Sequence, residues 1–150
     1  MDRSRLLLCL VVLGATPFCA GAGSFRDGRQ TVAGPVAAEL LRVIDGDTIE
    51  VRARIWLDLD LTTRVRLAGI DAPELDGACP EERRLAQIAR TSLGATLGLG
   101  PVWLSDIRHD KYGGRVVADV LLRDGHSASA AMLASGAAAE WGTTPLWCPP

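Results

Sequence analysis

From Ile49 to Leu57 the chain alternates. Ile49, Val51, Ala53, Ile55 and Leu57 are apolar, and Glu50, Arg52, Arg54 and Trp56 fall between them. A period of two gathers the apolar set on one face of an extended strand, so this segment requires a sheet that buries one side and leaves the other to solvent. Val36 to Ile44 reads as the strand before it and Thr62 to Ile70 as the strand after it, with a loop around Asp58 and Asp60. Pro80, Glu81 and Glu82 have the character of a helix first turn. Leu85, Ile88, Ala89 and Leu93 then follow at helical spacing until Gly98 and Gly100 stop the helix. Val102 to Ile107 and Arg115 to Leu122 read as two more strands, and a short alanine-rich helix runs from about Ser127 to near Gly136. The expectation is a mainly β chain with helices (α+β). It takes the form of a five-stranded OB-fold barrel, with one helix between the third and fourth strands and a short helix at the C-terminal end.

The 150 residues leave room for one domain. Asp2, Arg3 and Arg5, the apolar run Leu6 to Leu13, and the small residues Ala20, Gly21 and Ala22 together read as a cleaved secretory signal peptide over residues 1–22. Residues 23–35 read as a flexible leader, and 36–150 as the folded domain. The expected location is the periplasm or the medium of a bacterium, with no stable membrane association after cleavage. Losing residues 1–22 removes two of sixteen basic and one of eighteen acidic residues, which takes the net charge from −2 to −3. A protein that holds long nucleic acid by its backbone presents a basic face, so any phosphate binding here must be local. Cleavage also removes Cys9 and Cys19. The remaining pair, Cys79 and Cys148, is a disulfide candidate in an oxidising compartment.

Chemistry concentrates in two runs, Val43 to Thr48 and Arg66 to Glu74. Asp47 stands where a turn enters a strand, and Asp71 and Glu74 stand where the third strand leaves for the bend at Pro73. Pairing the strands brings these ends together, and carboxylates meeting in one notch repel each other unless a cation joins them. Oxygen ligands favour calcium or magnesium over zinc or copper. Taken singly, Asp45-Gly46-Asp47 and Asp71 are ordinary turn residues; Arg66, five residues before Asp71, adds a phosphate ligand to the set. Arg52, Arg54 and Arg64 read as surface strand arginines, and the tryptophans of the C-terminal tail as packing residues rather than base-stacking ones.

Ile44 to Thr48, Arg66 to Glu74, and Asp110-Lys111-Tyr112-Gly113-Gly114-Arg115 followed by Val116-Val117-Ala118 resemble the staphylococcal (micrococcal) nuclease family over about Glu39 to Gly136. The resemblance implies an OB-type barrel that uses Ca2+ to hydrolyse phosphodiesters in DNA and RNA, leaving 3′-phosphates. It implies that Asp47, Asp71 and the backbone carbonyl of Ala72 hold the calcium. Glu74 would act as general base or orient the attacking water, and Arg66 and Arg115 would grip the phosphate. Lys111 and Tyr112 would contact a single-stranded DNA or RNA substrate, and the working unit would be a monomer.

Three departures stand out. Two glycines rather than one separate Tyr112 from Arg115. Few residues separate Glu74 from Cys79, and the chain stops at Pro150, soon after the second helix. The altered Tyr112 region and the negative charge favour an alternative of another class, a non-catalytic OB-fold module that binds an oligonucleotide or a protein partner, and the full set of Asp47, Arg66, Asp71, Glu74 and Arg115 opposes it.

Overall fold

A computed structural model describes residues 31–149. The signal peptide over 1–22 and the first part of the leader, 23–30, lie outside the described residues. The elements run β1 (Thr31–Val32), β2 (Val36–Val43), β3 (Thr48–Trp56), β4 (Leu59–Leu67), β5 (Ile70–Asp71), α1 (Pro80–Leu97), β6 (Pro101–His109), β7 (Arg115–Leu121), α2 (Ala128–Ala134) and β8 (Ala139–Glu140).

The long strands pair in the order β6-β2-β3-β4-β7, and β7 pairs back onto β6, so the sheet closes into a five-stranded barrel. All neighbours are antiparallel except β4 and β7, whose parallel register sets Arg64 beside Arg115 and Arg66 beside Val117. This is the OB-type arrangement that the alternating pattern called for. The inward set of β3, Ile49, Val51 and Ala53, is buried. It meets Val65 and Leu67 of β4, Val102 and Leu104 of β6, and Ala118 and Val120 of β7 in one core. The intervening residues of the same strands form the outer face.

Several strand boundaries differ from the sequence reading; the third long strand, expected over Thr62 to Ile70, runs Leu59–Leu67, and Ile70 belongs to β5. Thr31–Val32, expected in the leader, pairs with Ile107 and Arg108 of β6, in line with the pairing of β2 farther along the same strand. The loop expected around Asp58 and Asp60 is a tight turn with Asp58 at φ 57, so Asp60 already belongs to β4. A short polar side chain tolerates that left-handed backbone better than most.

Helix α1 opens at Cys79, whose sulfur accepts the Glu82 N–H, with Pro80 in the first turn. It turns Ala86, Ala89, Leu93 and Leu97 inward, whereas Ile88, expected on the buried face, is 48% exposed. Ala89, its neighbour in the helix, faces Gly46. A Cβ built there would lie 2.6 Å from the Ala89 Cβ and 2.7 Å from the Ala72 Cβ. Three small residues thus let the β2–β3 turn, the segment after β5 and the helix pack backbone to backbone. Cys79 and Cys148 form a disulfide that ties the helix start to the tail. Among the described residues no helix is long and apolar enough to cross a membrane.

Candidate active site

The β2–β3 turn fixes the first carboxylate. Asp45 Oδ1 accepts the Asp47 N–H at 3.0 Å, and the N–H groups of Ile44 and Asp45 both donate to the Thr48 carbonyl, at 2.9 and 3.3 Å. Thr48 Oγ1 donates to Asp47 Oδ1 at 2.8 Å, leaving Oδ2 for other partners. Asp47 is only 3% exposed. Burial drives its carboxyl above the ordinary range. Asp45 and Asp71 add to that shift, and the Arg66 charge and the Thr48 hydroxyl oppose it.

The β3–β4 ladder supplies the arginine. Thr48 stands opposite Arg66, and the Leu67 N–H donates to the Asp47 carbonyl at 2.8 Å. Beyond Leu67 the chain reverses through Gly69 at φ 79, where a glycine is favoured, and β5 returns Asp71 to the same arginine. Arg66 Nη1 lies 2.9 Å from Asp47 Oδ2, and Nη2 lies 2.5 Å from Asp71 Oδ1. Two carboxylates from different turns therefore converge on one positive centre. The Ala72 N–H also donates to Asp47 Oδ2, at 3.3 Å.

The second arginine arrives on β7. Gly114, at φ 77, lies in the β6–β7 turn rather than in a strand bulge, so the doubled glycine is absorbed before Arg115 opens the strand. Arg115 Nε donates to Asp110 Oδ2 at 2.5 Å, and its guanidinium lies 5.3 Å from the centre of the Tyr112 ring. Desolvation works against the Asp110 charge, but the bond and charge of Arg115 and the N–H groups of Lys111 and Tyr112 outweigh it and hold this carboxyl below the ordinary range. Asp45, Arg66, Asp71, Glu74 and Arg115 line one open cleft of about 860 Å³ on the outer face of the barrel, and Lys111 and Tyr112 stand at its edge. Asp47 and Ala72 are buried and do not line the cleft, although Asp47 pairs with Arg66, which does. The Glu74 carboxyl is pushed up, by partial burial first and then by Asp45, Asp76 and Asp71, with Arg66 opposing.

Three cleft residues were not anticipated. Arg64 lines the cleft, where the sequence reading left it as a surface arginine. Asp110 was visible in the Asp110 to Arg115 run but not as the group that orients Arg115. Trp141 is 68% exposed and lines the cleft rather than packing as the tail tryptophans were expected to, because β8 pairs with β5 and the Trp141 N–H donates to the Gly69 carbonyl at 3.0 Å.

Donor chemistry decides which groups suit a cation. Cys79, Glu82 and Cys148 bring three ligand atoms within 4.8 Å of one another, a cluster able to coordinate a metal ion. Its two sulfurs are joined in the disulfide, so thiolates become available there only on reduction. The acidic notch offers oxygens alone. Burial raises the Asp47 carboxyl above its ordinary range, and Asp47 points with Asp71 at the charge of Arg66. Oxygen donors are the class that hard divalent ions take, and here Thr48, Arg66 and the Ala72 N–H occupy both Asp47 oxygens and Asp71 Oδ1.

The chain matches the protein family described as Staphylococcal nuclease homologue over residues 64–144, more than half its length. That stretch takes in Arg66, Asp71, Glu74 and Arg115. The chain is also similar to an uncharacterized endonuclease of Escherichia coli, 29% identical over 103 residues that make up 69% of this chain and 60% of that protein. It therefore spans less than two thirds of the relative's length.

Proposed function

Because the chain belongs to the staphylococcal nuclease homologue family, we propose that it is an exported, calcium-dependent nuclease that hydrolyses phosphodiester bonds in single-stranded DNA or RNA. The observation that carries this reading is the cleft in which Arg66 and Arg115, from strands far apart in sequence, face the same acidic notch. A pure binding module has no need of a buried carboxylate, Asp47, that converges with Asp71 on one guanidinium.

Asp47, Asp71 and the carbonyl of Ala72 would hold the calcium. When bound, the ion would polarise a phosphoryl oxygen and offset the charge gathered in the transition state. Glu74 would take a proton from the attacking water, and the upward shift that partial burial and the neighbouring carboxylates give it is in the direction of a stronger base. Water oxygen bonds to phosphorus as the bond to the 5′ oxygen breaks, which gives a 3′-phosphate and a 5′-hydroxyl. Arg66 and Arg115 would donate to the phosphoryl oxygens, as planar guanidiniums do best. Export would follow removal of residues 1–22, and residues 36–150 would act as a monomer.

Asp47→Ala separates an enzyme from a binder. Turnover of a labelled single strand is expected to fall below detection, while binding of the same strand at fixed calcium changes by less than about fivefold, or about 1 kcal/mol. A wild-type protein that binds and never cuts, with the variant indistinguishable from it, would instead establish the non-catalytic module.

A further inference from the structure

We propose that Arg64 binds the phosphate next to the one that is cut, so that the cleft grips two successive phosphates of a single strand. The inference rests on the nuclease reading of the same cleft.

Arg64 and Arg66 are two residues apart on β4 and so share its outer face, about 6.6 Å apart along the strand. That is close to one sugar–phosphate repeat of an extended strand. In the parallel β4–β7 register, Arg64 stands directly beside Arg115. It lines the cleft together with Arg66, Asp71 and Arg115.

The other arginines of the cleft are occupied. Arg66 is bound to Asp47 and Asp71, Arg115 to Asp110, and Arg108 to Asp106 at 2.6 Å. The acid opposite Arg64 across the β3–β4 ladder is Glu50. Its carboxylate is already taken by Arg42, whose Nε and Nη2 donate to its two oxygens at 2.8 and 3.2 Å. Among the described residues Arg64 makes no ion pair, although its charge reaches Glu50 as a weak influence behind that of Arg42. An exposed guanidinium is thus left without a carboxylate on the floor of a cleft that already holds the phosphate ligands. Its planar fork of donors matches phosphate oxygens. Such a contact fixes the strand without reading its bases.

The experiment compares wild type with Arg64→Gln, Arg64→Lys and, as an outer-face control, Arg52→Gln, whose parent residue pairs with Glu39. Kinetics are measured in calcium on a dinucleotide with one phosphodiester and on a tetranucleotide. Binding of a fluorescent single-stranded octanucleotide is followed against salt by anisotropy. Arg64→Gln is expected to raise KM for the tetranucleotide about tenfold, with kcat within about twofold and the dinucleotide unchanged. The salt slope should shrink by about 0.7. Arg64→Lys should keep the slope, and Arg52→Gln should change neither quantity. Equal effects of Arg64→Gln on both substrates, or no effect on either, would overturn the proposal. If wild type cuts neither substrate, the nuclease reading fails and the salt slope still decides on Arg64: a smaller slope in Arg64→Gln supports the contact, and an unchanged slope or no binding by wild type removes it.

Discussion

Gly46 has no room for a side chain, because its neighbours are the Cβ atoms of Ala72 and Ala89. Gly46→Ala is expected to cost about 1–3 kcal/mol, the usual scale for overpacking, and a urea unfolding curve would measure it. Because Asp47 is the next residue, turnover should fall as well. Arg115 depends on Asp110 in a different way. A carboxyl held below its ordinary range contributes stability that is complete above the unfolded value near 3.9 and is lost as pH falls through the folded value. Melting temperatures followed from pH 6 to pH 2.5 should therefore drop more steeply below about pH 4 in wild type than in Asp110→Asn. Parallel curves would show that the pair adds nothing. Arg115→Lys keeps the charge and loses the planar fork, so kcat should fall about 100-fold or more with little change in stability. Asp47, Asp71 and Glu74 were legible in the sequence because each lies within a few residues of a turn whose chemistry is local. Arg64 was not, since its place in the cleft depends on the parallel pairing of β4 with β7, which no local pattern records.

At the scale of elements, the strands were legible and the helix face was legible in part. Alternation along β3 marked Ile49, Val51, Ala53, Ile55 and Leu57 as inward; the first three are buried, whereas Ile55 and Leu57 are exposed where the strand runs out into its turn. Helical spacing marked Leu85, Ile88, Ala89 and Leu93; Ala89 and Leu93 are buried, Leu85 is half-buried and Ile88 is exposed. Ala86 and Ala89 stand inward with Leu93 and Leu97, and Ala89 is where Gly46 approaches most closely. The cysteine pair followed from setting aside Cys9 and Cys19 with residues 1–22, and it joins the N-cap of α1 to the tail that follows β8. Replacing both cysteines by serine should lower stability by about 4 kcal/mol on the chain-entropy account, while the cleft residues keep their places and turnover under stabilising conditions stays within about threefold, well under 1 kcal/mol of barrier. Thermal melts with and without reductant would check the first part, and initial rates at low temperature the second.

The whole molecule joins two ends of the chain at one face. Closing β7 onto both β4 and β6 carries Arg115 to the notch built from the β2–β3 turn and β5, and β8 brings Trp141 to the same rim. The chain's net charge is negative, so any phosphate contact rests on the few basic residues that line the cleft, Arg64, Arg66, Arg108, Lys111 and Arg115. In the proposed nuclease, the acidic notch and its arginines cut phosphodiesters when a calcium ion is present. Incubating the purified protein lacking residues 1–22 with 5′-labelled single-stranded DNA in millimolar calcium, and again with excess chelator, tests this. Cleavage to fragments that end in 3′-phosphate is expected with calcium, and intact strand with chelator. Intact strand under both conditions, or equal cleavage under both, would contradict that proposal.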